Sequence, residues 1–324
     1  MSAEKAVVLL AGKVHPRVRE RAEAQFDAVS IDKADAGMMS EEARNRIRGI
    51  ASATVISADF IDSLPNLEVI ANFGVGYDAV DAAHAAKRNV MVTNTPDVLS
   101  DEVADTTVGL LLNTLRELPK AEAYLRAGRW AAEGAYPMTS LSLRGRTIGI
   151  FGLGRIGLAI AKRLEAFGLP IHYHTRTQRS DVTYTWHAKL IDMASVVDTL
   201  IVIVPGGAAT ENAVNAVVLK ALGPQGVLIS VGRGTTIDEP ALIAALADRT
   251  IAAAGLDVFA NEPNVPQALM DLPNACLLPH VASASVSTRN AMADLVVDNL
   301  AEWLAGRPAI TPVPECAGFD RETK

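Results

Sequence analysis

The sequence predicts an α/β protein made of two doubly wound parallel-sheet domains. Short apolar runs alternate with helical patterns in the first third of the chain, a glycine-rich turn follows a buried strand in the middle, and the alternation then resumes. Such alternation is typical of parallel sheets covered by helices on both faces. At 324 residues the chain exceeds the size at which a single core keeps growing, so two domains are expected.

The composition limits the partners of the protein. There are 30 Lys and Arg residues against 37 Asp and Glu residues, a net charge of -7. No basic stripe is present, which argues against nucleic acid and against a membrane surface as partners. The two cysteines, Cys276 and Cys316, lack metal-ligand spacing, which favours a reducing compartment and no metal site. No signal-peptide pattern or membrane-spanning run is evident, so we expect a cytoplasmic protein.

The first domain is expected to be flavodoxin-like and to comprise residues 1–99 together with 286–324. Its strands are predicted at 6–10, 28–31, 54–56, 67–71 and 90–93, and its first helices near 18–25 and 40–48. An amphipathic helix from Ser285 to Gly306 is expected to return the chain to this domain. Between two of the strands lies the loop Asn72-Phe-Gly-Val-Gly-Tyr-Asp78. Its backbone N–H groups could receive an anionic substrate group, and a plain turn is the alternative.

A long helix is predicted from Asp101 to about Leu125, with Ser100 and Asp101 able to cap its start and Gly128 after its end. An irregular stretch with exposed aromatic and apolar side chains follows it, from Trp130 to Leu143. That stretch could pack on a neighbouring subunit or form an ordinary surface loop, and the sequence leaves both open.

The second domain, residues 100–285, is expected to be a Rossmann-like dinucleotide-binding domain. A strand at 147–151 leads into Gly152, Gly154 and Gly157, and a helical pattern follows at 158–167. In this motif the first glycine permits a tight turn, the second lets backbone approach a pyrophosphate, and the third lets the helix pack on the strand. Further strands complete the predicted sheet at 171–174, 200–204, 226–231, 251–258 and 275–278.

The end of the strand at 171–174 favours NADP over NAD. In NAD-binding domains an acidic residue about 20 positions beyond the glycines binds the adenosine ribose. No carboxylate lies between Glu165 and Asp181; Thr175 stands near the expected position and is followed by Arg176 and Thr177. With Arg179, these side chains offer donors for a 2′-phosphate. The alternative is that the arginines belong to a solvated loop.

Three polar residues follow predicted strand ends or turns in the second domain: Arg233, Glu262 and His280. The carboxyl ends of parallel strands converge on the ligand crevice of an open sheet, so residues that are distant in sequence can meet there. Each could have a purely structural role if taken alone. Taken together, the three residues indicate a functional site more strongly than any one of them does alone.

The chain resembles the D-isomer-specific 2-hydroxyacid dehydrogenase family over essentially its whole length. The segments that carry the resemblance are Asn72-Phe-Gly-Val-Gly-Tyr-Asp78, the glycine motif at 152–157, Gly232-Arg-Gly234, Gly255-Leu-Asp-Val-Phe259, Asn261-Glu-Pro263 and Pro279-His280. Three segments are most similar to the NADPH-preferring glyoxylate/hydroxypyruvate reductase branch, close to the hydroxyphenylpyruvate reductases. They are the loop at 72–78, the stretch Pro205-Gly-Gly-Ala-Ala-Thr210 and the Thr-Arg-Thr sequence at 175–177. Two departures are Ala282, where many relatives have glycine, and Thr175 in place of the acid.

The resemblance implies a 2-oxo acid reductase that uses NADPH. His280, paired with Glu262, would donate a proton to the carbonyl oxygen, since an adjacent carboxylate favours the imidazolium. Arg233 would clamp the substrate carboxylate, which would also accept from the N–H groups of Val75 and Gly76.

The same resemblance implies the remaining cofactor contacts and the assembly. The residues concerned are Arg155 and Ile156 at the pyrophosphate, Val204 and Val231 lining the cofactor crevice, and Asp257 beside the catalytic pair and the nicotinamide. It also implies a homodimer, with the helix at 101–125 and the following loop as its contacts.

Three alternative functions follow from the same residues. One is a hydroxyphenylpyruvate-type reductase with a larger substrate, and another is a nucleotide-sensing, non-catalytic scaffold on the same fold. The scaffold leaves the joint presence of Arg233, Glu262 and His280 unexplained. Formate dehydrogenase chemistry is disfavoured, because the relatives that perform it pair the histidine with glutamine.

Overall fold

The structure, a computed structural model, describes residues 5–319. The outermost residues of the predicted first domain, 1–4 and 320–324, lie outside the described residues. The chain divides into two compact units. Within the described residues, unit 1 comprises 5–99 and 285–319, and unit 2 comprises 100–284.

Unit 1 is built on a five-stranded sheet in which all the pairs are parallel. The strands are β1 (Val7–Ala11), β2 (Asp27–Ile31), β3 (Ile47–Ser52), β4 (Val69–Asn72) and β5 (Met91–Thr93), in the order β2-β1-β3-β4-β5. The helices of this unit are α1 (Pro16–Gln25), α2 (Glu41–Arg46), α3 (Ala58–Asp62), α4 (Ala82–Lys87) and, numbered by its place in the chain, α13 (Val286–Leu304). This strand order is that of a flavodoxin-like sheet.

The helix α13 brings the end of the chain back to the sheet of unit 1, as predicted. Ser285 caps its start, because the serine Oγ accepts a hydrogen bond from the Thr288 N–H at 3.3 Å. A Cβ built on Gly49 in β3 would lie 3.1 Å from a methyl group of Leu300, so the helix packs closely on that strand. Arg17 in α1 also binds Asp294 of α13 at 2.6 Å.

Unit 2 is built on a seven-stranded sheet, also with all pairs parallel. The strands are β6 (Ile148–Phe151), β7 (Ile171–His174), β8 (Thr185–His187), β9 (Thr199–Val202), β10 (Val227–Ser230), β11 (Ala253–Leu256) and β12 (Ala275–Leu277). The helices are α5 (Ser100–Arg116), α6 (Leu118–Arg126), α7 (Arg129–Glu133), α8 (Arg155–Glu165), α9 (Leu190–Ala194), α10 (Ala216–Leu222), α11 (Glu239–Ala247) and α12 (Gln267–Met270).

The strand order of unit 2 is β12-β11-β10-β9-β6-β7-β8. From β6 the chain therefore first builds outward through β7 and β8, and then returns to the other side of β6 with β9. The order reverses between β6 and β9, which is where a crevice opens at the carboxyl ends of the strands of such a sheet. The prediction of two doubly wound parallel-sheet domains is confirmed.

Several local predictions are wrong. The strand expected at 54–56 is instead β3 at Ile47–Ser52, where Arg48 and Gly49 interrupt the apolar run that would have revealed it. The edge strand β8 was not predicted. The helix expected from 101 to 125 is divided at Glu117, whose φ of 50° is left-handed. Pro119 is the cause, because proline lacks an N–H and its ring would clash with the carbonyl four residues earlier in a continuous helix.

The helix α5 packs on β11 at a point where the strand has no side chain. A Cβ on Gly255 would lie 2.4 Å from Thr114 Oγ1 and 2.8 Å from Ile229 Cδ1. Both distances are shorter than any ordinary carbon contact. The absence of a side chain at Gly255 thus sets how closely the helix approaches the sheet.

Gly255→Ala should destabilise the protein by about 1–3 kcal/mol, because a methyl group there overpacks the contact between helix and sheet. Gly109→Ala is the matched control, since a Cβ at that position of α5 meets nothing within 4 Å. Alanine there should stabilise the helix by about 0.5–1 kcal/mol. Urea unfolding of both variants measures the two effects, and equal stabilities would contradict the packing argument.

Candidate active site

The glycine turn between β6 and α8 lies at the point where the strand order reverses. A Cβ on Gly152 would lie 2.8 Å from the Ile203 carbonyl oxygen, and one on Gly157 would lie 2.1 Å from the Gly152 carbonyl oxygen. Neither position can hold a larger residue without moving the backbone. These two glycines let the start of the helix sit directly on the strands.

The middle glycine has a different role. A Cβ on Gly154 would meet nothing within 4 Å, so this backbone borders open space. Gly154 is also the N-cap of α8 and has no side chain to accept from the first-turn N–H groups, which include those of Arg155 and Ile156. A helix N-terminus with such N–H groups binds anions. The turn therefore fits the pyrophosphate of a dinucleotide.

The loop after β7 has one arginine that is available and one that is already bound. Arg179 donates through Nη1 to the Leu153 carbonyl at 2.7 Å and through Nε to Asp181 at 2.9 Å. It therefore braces the glycine turn, a contact that the sequence did not indicate. Arg176 is exposed and has no hydrogen bond or ion pair to any of the residues 5–319.

The two threonines of this loop flank Arg176. Thr175 Oγ1 donates to the Thr177 carbonyl at 2.7 Å, and its own carbonyl accepts from Trp186 Nε1 at 3.2 Å. Asp181 is already paired with Arg179. The loop thus presents a guanidinium and hydroxyl groups, a set that suits a phosphate better than a ribose diol.

Val204 and Val231 follow the carboxyl ends of β9 and β10, and both are buried. A methyl group of Val204 would lie 2.8 Å from a Cβ built on Gly152, so this valine forms the wall beside the glycine turn. The two valines give the crevice next to the switch point an apolar side.

Arg233 follows β10, and the glycines on either side of it pack against the segments that follow the two flanking strands, β9 and β11. A Cβ on Gly232 would lie 2.7 Å from the Val204 carbonyl oxygen, and one on Gly234 would lie 1.9 Å from the Phe259 carbonyl carbon. The arginine is half-buried. The backbone around Arg233 thus packs against the segments after β9 and β11, which fixes where its guanidinium begins.

Glu262 and His280 meet although they are 18 residues apart. His280 Nδ1 lies 2.7 Å from Glu262 Oε2, and the other carboxylate oxygen accepts from the Phe259 N–H at 3.0 Å. Burial raises the pKa of Glu262, but the His280 hydrogen bond, the Phe259 N–H and the charges of His280 and Arg233 outweigh it and bring the pKa below its ordinary value. Glu262 is thus an anion at neutral pH.

Comparison with known proteins identifies the family. The family model described as D-isomer specific 2-hydroxyacid dehydrogenase, NAD binding domain, matches residues 108–282. The chain belongs to the D-isomer specific 2-hydroxyacid dehydrogenase family. As a member of this dehydrogenase family, the protein is an oxidoreductase.

Relatives of the 2-hydroxyacid dehydrogenase family match most of the chain. A crystal structure of an NADPH-dependent glyoxylate/hydroxypyruvate reductase from Sinorhizobium meliloti, in complex with NADP and malonate, is 61% identical with a TM-score of 0.94, covering 96% of this chain and 98% of that one. A glyoxylate/hydroxypyruvate reductase A of Arabidopsis thaliana is 45% identical over 278 residues, 85% of this chain and 88% of the relative. A hydroxyphenylpyruvate reductase of Plectranthus scutellarioides is 47% identical over 256 residues, 79% of this chain and 81% of the relative.

In this 2-hydroxyacid dehydrogenase Asp257 holds the backbone around His280. The Asp257 carboxylate is buried and accepts from the N–H groups of Val281 at 2.7 Å and Ala282 at 2.8 Å, while its carbonyl accepts from the His280 N–H at 2.8 Å. Burial raises the pKa of Asp257, although the two N–H groups oppose the rise. The family resemblance implied that Asp257 lies near the pair but did not indicate these backbone contacts.

The second predicted anion site lies in unit 1, in the loop after β4. Val75 and Gly76 are half-buried there, and their N–H groups donate to no acceptor among residues 5–319.

Among residues 5–319, no group of three or more His, Cys, Asp or Glu side chains could hold a metal ion. No helix within the described residues is long and apolar enough to span a membrane.

Glu262→Gln should change how stability depends on pH. The lowered pKa of Glu262 means that the ionised carboxylate stabilises the fold above its unfolded pKa of about 4.3, and that this contribution is lost as the pH falls through the folded value. The free energy of unfolding of wild type should exceed that of the variant by about 1 kcal/mol near neutral pH. The effect is no larger because the pair is partly exposed. The difference should shrink in acid.

Urea unfolding of both proteins from about pH 3 to about pH 7 measures this difference. Glu20→Gln, at an exposed position of α1, is the control and should leave the stability nearly unchanged. A difference between wild type and Glu262→Gln that stays constant across the range would contradict the assignment.

Proposed function

We propose that this enzyme uses NADPH to reduce glyoxylate and hydroxypyruvate to the corresponding 2-hydroxy acids. The observation that carries the proposal is the 2.7 Å pair of His280 and Glu262 at the strand ends of a sheet whose glycine turn fits a dinucleotide. The relatives support the substrate class, since the Sinorhizobium meliloti and Arabidopsis thaliana proteins are glyoxylate/hydroxypyruvate reductases.

His280 is the general acid of the proposed reaction. Its Nδ1 is bonded to Glu262, and its Nε2 has no hydrogen-bond partner among the described residues, so Nε2 is the nitrogen that can donate to the substrate carbonyl oxygen. The carboxylate of Glu262 accepts the hydrogen bond from Nδ1 and so fixes the orientation of the ring. After the proton is transferred, the neutral ring keeps its Nδ1–H on Glu262. In the oxidative direction Nε2 accepts the proton from the hydroxyl group.

The cofactor contacts are proposed for the residues that border the crevice of unit 2. When bound, NADPH supplies the hydride that is added to the keto carbon. The proposed contacts are Gly152, Gly154, Arg155, Ile156 and Gly157 for the pyrophosphate, Thr175, Arg176 and Thr177 for the 2′-phosphate, and Val204, Val231 and Asp257 for the remainder. The lack of a free acid after β7 favours NADP rather than NAD.

Arg233 is proposed to bind the substrate carboxylate, because a guanidinium matches a carboxylate with two parallel hydrogen bonds. The N–H groups of Val75 and Gly76 are proposed to bind the same class of anion from unit 1. We accordingly propose residues 1–99 with 286–324 as the substrate-binding domain and residues 100–285 as the dinucleotide-binding domain.

A hydroxyphenylpyruvate-type reductase with a larger substrate is the second candidate. It is favoured by the 47% identity to the Plectranthus scutellarioides enzyme. The two candidates share the catalytic residues and differ in the size of the side chain beyond the 2-oxo acid. Steady-state assays of glyoxylate, hydroxypyruvate and hydroxyphenylpyruvate decide between them by kcat/KM.

We further propose a cytoplasmic homodimer. The segment after α5 exposes large apolar side chains on one stretch of the chain: Leu118, Leu125, Trp130 and Met138, the last fully exposed. Leu125 and Trp130 border the same surface depression, and exposed apolar side chains that lie close together are typical of protein interfaces. Both cysteines are free thiols, in keeping with a reducing compartment.

His280→Ala should lower kcat with NADPH and glyoxylate by about 100-fold or more, because the general acid is lost. The dissociation constant for NADPH should change little. The decrease in nicotinamide absorbance measures turnover, and quenching of protein fluorescence measures cofactor binding. Wild-type protein without turnover on any 2-oxo acid of the panel would refute the proposed function.

Arg176→Ala should raise the KM for NADPH by about 10-fold or more while leaving the KM for NADH unchanged, because a charge-assisted bond to phosphate is lost. Arg179→Ala is the matched comparison, because Arg179 supports the glycine turn. The Arg179 variant should weaken the binding of both NADPH and NADH. An Arg176 variant that affects both cofactors equally would contradict the assignment of the 2′-phosphate.

A further inference from the structure

The anion site in unit 1 depends on the orientation of two consecutive peptide groups. In a trans peptide group the carbonyl and the N–H point in opposite directions. The Gly74 carbonyl shares a peptide group with the Val75 N–H, and the Val75 carbonyl shares one with the Gly76 N–H. Whatever holds these two carbonyls therefore decides where the two N–H groups point.

Both carbonyls are bound by the segment that follows β5. The Gly74 carbonyl accepts from the Thr95 N–H at 2.9 Å, and the Val75 carbonyl accepts from Asn94 Nδ2 at 2.8 Å. Asn72 adds a weaker contact to the Gly74 carbonyl at 3.3 Å. Among residues 5–319, Asn94 is the one residue whose side chain donates a hydrogen bond to the Val75 carbonyl.

Asn94 is itself fixed by the chain that follows α13. Its carbonyl accepts from Thr311 Oγ1 at 2.7 Å, and its N–H donates to the Thr311 carbonyl at 3.3 Å. The fully buried Asn299 of α13 donates to Thr311 Oγ1 at 2.9 Å and accepts from the Thr311 N–H at 3.0 Å. A continuous chain of hydrogen bonds thus runs from α13 through Thr311 and Asn94 to the loop after β4.

We infer that Asn94 is a positioning residue for the substrate carboxylate, because it turns the Val75 carbonyl away and so presents the Gly76 N–H to the anion. This inference rests on the proposed function, in which the N–H groups of Val75 and Gly76 bind the carboxylate. Asn94 acts through the peptide group and has no part in proton transfer. Its loss should therefore weaken anion binding and leave the chemical step intact.

The binding of glyoxylate, the proposed substrate, and of oxalate, used as a test anion, both report on this role. Asn94→Ala should raise the KM for glyoxylate and the dissociation constant for oxalate by about 10-fold, because one peptide group is free to turn. The kcat at saturating glyoxylate should stay within about twofold of wild type, because the interaction serves binding equally before and in the transition state. The dissociation constant for NADPH should not change.

Asn66→Ala is the matched control. Asn66 also lies in unit 1 and donates through Nδ2 to a backbone carbonyl, that of Asn45, at 2.7 Å. It should lose a similar hydrogen bond without any effect on glyoxylate or oxalate. Melting temperatures of both variants separate the loss of stability from the loss of anion binding.

Thr311 provides a second pair of variants that does not touch the loop. Thr311→Ser keeps the hydroxyl group that holds Asn94 and should behave as wild type. Thr311→Val keeps the shape and removes the hydroxyl group, so it should weaken oxalate binding in the same direction as Asn94→Ala. If Asn94→Ala fails to fold, the comparison of serine with valine at position 311 tests the same inference.

Isothermal titration with oxalate in the presence of saturating NADPH separates this inference from the proposed function. Wild-type protein that binds oxalate without reducing any 2-oxo acid, with weaker binding in Asn94→Ala, would support the positioning role and refute the reaction. Three results would overturn the inference: no oxalate binding by wild type, an Asn94→Ala affinity no lower than that of Asn66→Ala, or a fall in kcat with KM unchanged.

Discussion

The close approach of backbone segments at the carboxyl ends of neighbouring strands is the constraint on which the rest of the site depends. Gly152, Gly232 and Gly234 each lie where a Cβ would come within 2.8 Å of the next segment. Because these positions carry no side chain, three backbone segments can pack directly against one another. They are the glycine turn after β6, the loop after β10 that carries Arg233, and the segment after β11. Residues from distant parts of the sequence thereby reach the same rim of the sheet.

A second level of support orients the side chains that this packing brings together. The buried carboxylate of Asp257 accepts hydrogen bonds from the two N–H groups that follow His280. The carboxylate of Glu262 is bonded both to His280 Nδ1 and to the Phe259 N–H. Burying a carboxylate is costly unless hydrogen bonds replace its water, and both oxygens of Asp257 have such bonds. The backbone of His280 is left-handed, with a φ of 54°, so the ring depends on these supports for its orientation.

The anion sites that we propose in the two units use different kinds of donor. In unit 2 the donors are the guanidinium of Arg233 and the N-terminus of α8, whose positions follow from the sheet. In unit 1 they are backbone N–H groups whose direction is set by Asn94 and the segment after α13. Backbone donors lose no rotamer freedom when they bind, but they require that the loop be held beforehand. The C-terminal return of the chain provides that support.

The sequence by itself determined the fold class and the glycine turn, because glycine spacing and apolar periodicity are local and leave a direct trace. The resemblance to a known family added Arg233, Glu262 and His280 as the predicted catalytic set. The sequence could not reveal β3, whose apolar run is broken by Arg48 and Gly49, or the helix break at Glu117, where a proline overrides a helical pattern. Only the tertiary structure decided which polar side chains are already bound. Arg179 and Asn94 hydrogen-bond to carbonyls 26 and 19 residues away, and contacts at such separations follow from the packing of strands.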